Sequence, residues 1–170
     1  ATSGAGFNTI TWGNGGALVI ENCLVINNKS RNGWGAAGAI HSEIQMTNVT
    51  IANNSNVYDN DMGVLSFTDG SAFAIATITN TIIYNNDNTV SPLMLDLYPS
   101  TGMSIEVKYS NIQSGFDGIA YSSNNLGSVN WGDGNIDDDP IFTDPANGDY
   151  TLQYTSPCID KGDPDLDGDG

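Results

Sequence analysis

Positive charge is what this sequence has least of. Four Lys+Arg stand against 20 Asp+Glu, a formal net charge of −16. A nucleic-acid backbone is neutralised by a basic face, and four cations do not make one, so nucleic acid is excluded as a partner. Charge of either sign is sparse at 14% of residues, against roughly 25% in an ordinary domain. Glu, Lys, Leu and Arg are scarce, which removes the material of a helical bundle. No apolar run reaches the ~18 residues of a membrane-spanning helix. The chain opens Ala1-Thr2-Ser3-Gly4, with neither Met nor a charged-then-apolar leader. It stops inside an Asp/Gly motif, and is expected to be a piece or processed form of a longer protein. Disorder is excluded by the 39% hydrophobic content, much of it Ile and Val in short runs.

What the chain does have is 21 Asn and 20 Gly. The Asn residues recur in a pattern: Glu21-Asn22-Cys23-Leu24-Val25-Ile26-Asn27-Asn28, Thr47-Asn48-Val49-Thr50-Ile51-Ala52-Asn53-Asn54 and Thr79-Asn80-Thr81-Ile82-Ile83-Tyr84-Asn85-Asn86. The Asn-Asn pairs lie 26 and then 32 residues apart, and Tyr109-Ser110-Asn111-Ile112-Gln113-Ser114 is a degenerate fourth copy. Alternating runs such as Ala72–Ile78 precede the copies and read as strands. Asn and Gly supply the left-handed bends that turn a strand around a corner. A period near 30 residues with several strands and corners describes one coil of a parallel β-helix. Stacked Asn side chains would then hydrogen-bond from coil to coil. A β-sandwich has short strands too, but no reason to repeat Asn-Asn at one place in each period. The expectation is an all-β, right-handed parallel β-helix (a solenoid) of roughly five to six coils over residues 1–130. An irregular acidic closing segment over 131–162 then packs on the last coil, with Phe142, Tyr150 and Leu152 against it, before an Asp/Gly tail over 163–170. Neither end shows a capping helix, so the open strand edge of an end coil is expected to be covered either by missing sequence or by self-association.

The later text reads Gly134-Asn135-Ile136-Asp137-Asp138-Asp139-Pro140-Ile141-Phe142, then Asp144-Pro145-Ala146-Asn147-Gly148-Asp149-Tyr150-Thr151-Leu152, then Ser156-Pro157-Cys158-Ile159-Asp160-Lys161-Gly162. Over roughly residues 105–165 it resembles the carboxyl-terminal part of secreted bacterial right-handed parallel β-helix proteins, including choice-of-anchor Q domain proteins. That resemblance implies a secreted, extracellular or cell-surface module. It does not imply one activity, because the family grades into polysaccharide lyases and other glycan-active enzymes of the same fold. In the resembling family a Cys at the place of Cys158 often pairs with a Cys of the last coil, but that position here is Asn111, so the partner is missing. A Cys23–Cys158 bond would have to cross several coils, so two free thiols are expected. Cys23 takes the repeat position of Val49 and Thr81, and is expected to face a packed row as a small hydrophobe.

The acidity is divided: −6 over residues 1–130 and −10 over the last forty. Asp163, Asp165, Asp167 and Asp169, with Gly168, match the start of a D-x-D-x-D-G calcium loop. Residue 174, which would carry the bidentate acid, lies past Gly170. The alternative is a solvated acidic linker. Asp133, Asp137, Asp138 and Asp139 form a second calcium candidate, whose alternative is a turn with Asp side chains bonding backbone N–H groups. Trp12, Trp34, Trp131, Tyr58 and Tyr84 sit beside loop residues as candidate glycan contacts, the alternative being corner packing. Catalytic residues cannot be assigned. His41, Lys29, Arg31, Lys108 and Lys161 are the only obvious bases or cations, and they form no ladder from coil to coil. The expected function is a structural, adhesive or glycan-contacting module, self-associating end to end, with calcium as candidate ion and polysaccharide as candidate partner. The rival is a polysaccharide lyase or glycoside hydrolase.

Overall fold

The computed structural model describes residues 6–10, 18–31, 37–41, 43–56, 63–68, 75–86, 92–96, 104–121, 127–166 and 168. The first repeat runs β1 (Phe7–Ile10), β2 (Leu18–Glu21), β3 (Leu24–Ile26) and β4 (Lys29–Ser30). The second runs β5 (Gly38–His41), β6 (Ile44–Thr47), β7 (Thr50–Ala52) and β8 (Ser55–Asn56). The third has β9 (Leu65–Thr68), β10 (Ile75–Thr79) and β11 (Ile82–Tyr84), the fourth β12 (Leu93–Asp96), β13 (Ser104–Lys108) and β14 (Asn111–Ile112). A fifth has β15 (Ala120–Tyr121) and β16 (Ser128–Trp131), and a hairpin of β17 (Phe142–Asp144) and β18 (Asp149–Leu152) follows. Two short 3₁₀ turns, Phe116–Gly118 and Pro145–Asn147, are the only helical segments among the described residues. The class is all-β, as expected.

Successive repeats lay their strands side by side and parallel, in the orders β1-β5-β9-β12-β15, β2-β6-β10-β13-β16, β3-β7-β11-β14 and β4-β8. The register holds from repeat to repeat. Leu18 pairs with Ile44, Ile44 with Ala76, Ala76 with Ile105 and Ile105 with Val129. A parallel row puts like positions in contact, so one apolar residue per repeat builds a continuous core column. Ile44, Ala76 and Ile105 are fully buried, as are Met46, Ile78 and Val107 in the next column and Ile51, Ile83 and Ile112 in the third sheet. Each such Ile or Val contributes about 1.5–3 kcal/mol by leaving water. In the first sheet Phe7 lies flat on Gly38, where an added Cβ would come within 2.3 Å of the ring. Gly38 is thus fixed by close approach.

The corners follow from Asn. Asn22, Asn48 and Asn80, and then Asn27, Asn53 and Asn85, all adopt φ between 51° and 58°. Such left-handed backbone is costly for most L-residues and tolerated best by Gly and Asn. The second Asn of each pair has a different role. The Asn54 side chain donates to Val25 O (2.9 Å), Ala52 O (3.1 Å) and Asn86 Oδ1 (2.9 Å). Its Oδ1 accepts the backbone N–H and the side-chain amide of Asn28, both at 3.0 Å. Asn86 repeats this one strand on, donating to Ile51 O and accepting the Asn54 N–H. An amide satisfies both needs, donor and acceptor, and a carboxylate does not. The ladder is buried at Asn54 and Asn86.

Two expectations are corrected. Cys23 does not face a packed row: it is exposed, its Sγ donating to Glu21 O at 3.0 Å. Its equivalents Val49 and Thr81 are buried because they lie in the second and third repeats, with neighbours on both sides. Cys23 lies in the first. Nor do Phe142, Tyr150 and Leu152 pack on the last repeat. They cluster with Ala52, Ile26 and Ile82, on the outer face of β3, β7 and β11. Phe142 and Tyr150 meet edge-on at 5.1 Å. The earlier part of the closing segment touches the last repeats, where Ile136 bridges to Asn111 and Asp138 O accepts from Asn111 Nδ2 at 2.7 Å.

Candidate functional site

The closing segment makes two concavities where it crosses the corner between β13 and β14. One is a cavity of about 180 Å³ lined by Asn80, Thr81, Tyr109, Asn111, Cys158 and Lys161, among others. At its wall Asn111 Nδ2 donates to Cys158 Sγ at 3.0 Å. Both cysteines are free, as expected. The residue standing where the resemblance places a disulfide partner is therefore in direct contact with Cys158. Tyr109 itself has φ 48°, and its ring lies on Gly134, where a Cβ would come within 2.3 Å. Gly134, at φ 71°, is required twice over.

The other is a polar cleft of about 440 Å³ lined by Glu106, Lys108, Asp133, Asp163, Pro164 and Asp165 with Tyr109 and Gly132. Lys108 Nζ stands 3.2 Å from Asp163 Oδ2, and the Asp163 side chain is only 8% exposed. Asn80 Oδ1 accepts the Asp163 N–H at 2.7 Å, anchoring the tail to the third repeat. Nothing in the sequence marks this pair, whose members lie far apart in the chain. The cleft brings Lys108 next to the carboxylates of Glu106 and Asp133.

Asp163 is thus held by Lys108, which would have to be displaced for it to serve as a first calcium ligand. Asp163 Oδ1 also accepts the Asp165 N–H at 3.1 Å. Asp167 and Asp169 lie outside the described residues. In the second acidic cluster the side chains bond backbone. Asp137 Oδ1 accepts the Ser114 N–H and Asp139 Oδ1 the Ile141 N–H, each at 2.9 Å. Asp133 gives its carbonyl to the Tyr109 N–H. Among the described residues no three His, Cys, Asp or Glu side chains converge as a metal-binding group.

Of the aromatic candidates, Trp12, Trp34 and Tyr58 lie outside the described residues, as does the side chain of His41. Trp131 ends the core column of Ile20, Met46, Ile78 and Val107 and meets Phe116 edge-on at 5.9 Å. Tyr84 lies on β11, in a different sheet. Its phenol is held above the usual range, first by burial and then by the negative charges of Asp137, Asp139 and Asp138. The two rings do not form one platform. No described helix is long and apolar enough to cross a membrane.

The side chains that share a face were missed in the sequence. Val19, Gln45, Thr77, Glu106 and Asn130 stand in register on the outer face of the second sheet. The period-2 pattern of β2, β6, β10 and β13 carries that signal once the runs are aligned by their Asn corners. No protein-family model, curated protein or solved structure matches this chain.

Proposed function

We propose that the chain is a right-handed parallel β-helix serving as a non-catalytic extracellular scaffold, with its long faces presented to polysaccharide. One observation carries the reading: the outer row Val19, Gln45, Thr77, Glu106 and Asn130, one side chain per repeat. At the ~4.8 Å strand spacing this is a flat ladder of mostly uncharged groups. Its amides and hydroxyl are suited to bridging sugar hydroxyls along a polymer. The resemblance of residues 105–165 to secreted bacterial proteins supports the extracellular setting. Affinity electrophoresis through neutral and uronate polysaccharides tests it. Retardation is expected, reduced in Gln45→Ala/Asn130→Ala, with no absorbance from unsaturated product and no new reducing ends. Unretarded migration in every gel refutes glycan contact.

The cleft supports the rival reading, a lyase or glycoside hydrolase, because it sets Lys108 beside Glu106, Asp133 and Asp163. Unsaturated product or new reducing ends, abolished in Lys108→Met, would decide for it.

A further inference from the structure

Three Asp–Pro bonds lie after the repeats, Asp139–Pro140, Asp144–Pro145 and Asp163–Pro164. Each joins a carboxylate to a tertiary amide with no N–H, whose nitrogen leaves more readily than that of an ordinary peptide. The fold places the three carboxylates differently. Asp139 is exposed, and its Oδ1 accepts the Ile141 N–H at 2.9 Å. Asp144 Oδ2 accepts from Asn147 Nδ2 at 2.7 Å. Of the three, only Asp163 has an ammonium against its carboxylate. Lys108 Nζ stands 3.2 Å from Oδ2, and that side chain is 8% exposed.

The rest of Asp163 is held as well. Its Oδ1 accepts the Asp165 N–H at 3.1 Å, closing a ring of atoms that contains the Asp163–Pro164 bond. Its own N–H is pinned to Asn80 Oδ1 at 2.7 Å. Pro164 lines the same cleft as Lys108 and is exposed, so a chain departing from it has a way out.

We propose that Asp163–Pro164 is a self-processing site, at which the acyl group of Asp163 passes from the Pro164 nitrogen to Lys108 Nζ. In the first step a side-chain carboxylate oxygen of Asp163 bonds to the Asp163 main-chain carbonyl carbon. The bond from that carbon to Pro164 breaks, its electron pair stays on nitrogen, and the Lys108 ammonium gives that nitrogen a proton. A cyclic anhydride of Asp163 and an uncharged Lys108 amine result. In the second step the amine attacks Cγ, the carbon bearing the oxygen it already faces, and the main-chain carboxylate is expelled. The proton that Nζ then sheds ends on the prolyl amine. One tertiary amide has become one secondary amide and a carboxylate is retained, with no water or oxidant consumed. Holding Nζ 3.2 Å from Oδ2 makes the transfer intramolecular, which favours it over attack by water. The product ties β13 covalently to residue 163 and frees the chain from Pro164 onward.

Intact mass spectrometry of the folded chain, held at mildly acidic to neutral pH, tests this. Residues 164–170 are expected to be lost. The remaining chain is expected to be lighter by one water than hydrolysed residues 1–163, with chymotryptic fragments joined through Lys108 and Asp163. Processing there is expected to be about tenfold or more faster than cleavage at the other two Asp–Pro bonds, and the three rates to converge in urea. Lys108→Arg keeps a cation against Asp163 and removes the transferable amine, so it is expected to form no cross-link. Pro164→Ala keeps the ion pair and replaces the tertiary amide, so it is expected to stay whole. A folded wild type that stays intact overturns the proposal. So does loss of residues 164–170 only as the hydrolysed form, or equal cutting of the three bonds in the folded chain.

Discussion

Asn54 offers the sharpest test of what sets the parallel strands in register. It is fully buried, and its amide group is engaged from both neighbouring repeats. Asn54→Leu keeps the volume and removes every polar atom. The Asn28 N–H then loses its acceptor, and Val25 O and Ala52 O lose a donor. A buried group left unpartnered costs about 1–3 kcal/mol, and the pair of carbonyls adds to it, so a loss of about 2–4 kcal/mol is expected. For a chain of this size that is a fall in Tm of roughly 5–15 °C. Asn53→Gly is the contrast. It keeps the left-handed corner and removes an exposed side chain that donates to Asn27, so it is expected to cost under about 1 kcal/mol. Asn54→Asp adds a pH signature. The oxygen replacing Nδ2 faces Val25 O and Ala52 O, so the folded state holds that carboxyl protonated and its pKa above the unfolded value of about 3.9. The native state then binds more protons than the unfolded state as pH rises past that value. The variant's stability relative to wild type falls from about pH 4 upward, by up to about 1.4 kcal/mol per pH unit, until the folded group ionises. Urea denaturation of the three variants at several pH values reads all of this. Equal losses in Asn53→Gly and Asn54→Leu, or a pH-independent Asn54→Asp, would refute the ladder as the ordering element.

Three further outcomes follow from the closing segment. Asn111→Cys is expected to oxidise onto Cys158, lowering the titratable thiols from two to one and closing a loop of 47 residues. Such a loop is worth about 4 kcal/mol, less the Asn111–Asp138 bonds it removes, and a reducing-agent-sensitive Tm is the readout. Thr151→Val removes the hydroxyl that, with the Thr151 N–H, holds the Asp149 carboxyl below its usual range. Its pKa, followed by NMR, is expected to rise toward the usual value. The small stability that this depression confers is present above the unfolded pKa and lost as pH falls through the folded one. Lys108→Met releases Asp163, and calcium affinity measured by titration calorimetry is expected to rise about two- to fivefold, the scale of a partly exposed ion pair. An affinity unmoved or lowered refutes the competition.

The Asn pattern was legible because one residue type meets two demands at fixed places. Backbone at φ near 55° selects Asn22, Asn27, Asn48, Asn53, Asn80 and Asn85, and the side-chain ladder selects Asn28, Asn54 and Asn86. The Asn-Asn spacings of 26 and 32 reappear as the pairings Leu24 with Thr50 and Thr50 with Ile82. The path of the tail was not legible. Alternation at Phe142, Tyr150 and Leu152 says that they are buried, not where. The overlooked signal was in their partners: Val25 and Ile26 are apolar on opposite faces of one strand, the mark of cover on both faces at that point, although Leu24 on the same strand stays exposed. Cys23 was misplaced because repeat alignment assigns a position and not a place within the sheet, and β3 is the outermost described strand of its sheet. The Lys108–Asp163 pair joins groups 55 residues apart, which no local pattern encodes.

A linear array in which each unit touches only its neighbours should fray from its ends. Here the hairpin lies against Ile26, Ala52 and Ile82, one from each of three successive repeats, and residues 136–138 and 163 hold Asn111, Asn80 and Lys108. Opening the first repeat alone would strip apolar cover from the hairpin as well. Unfolding is therefore expected to be a single sharp transition that broadens when the segment after Gly134 is deleted.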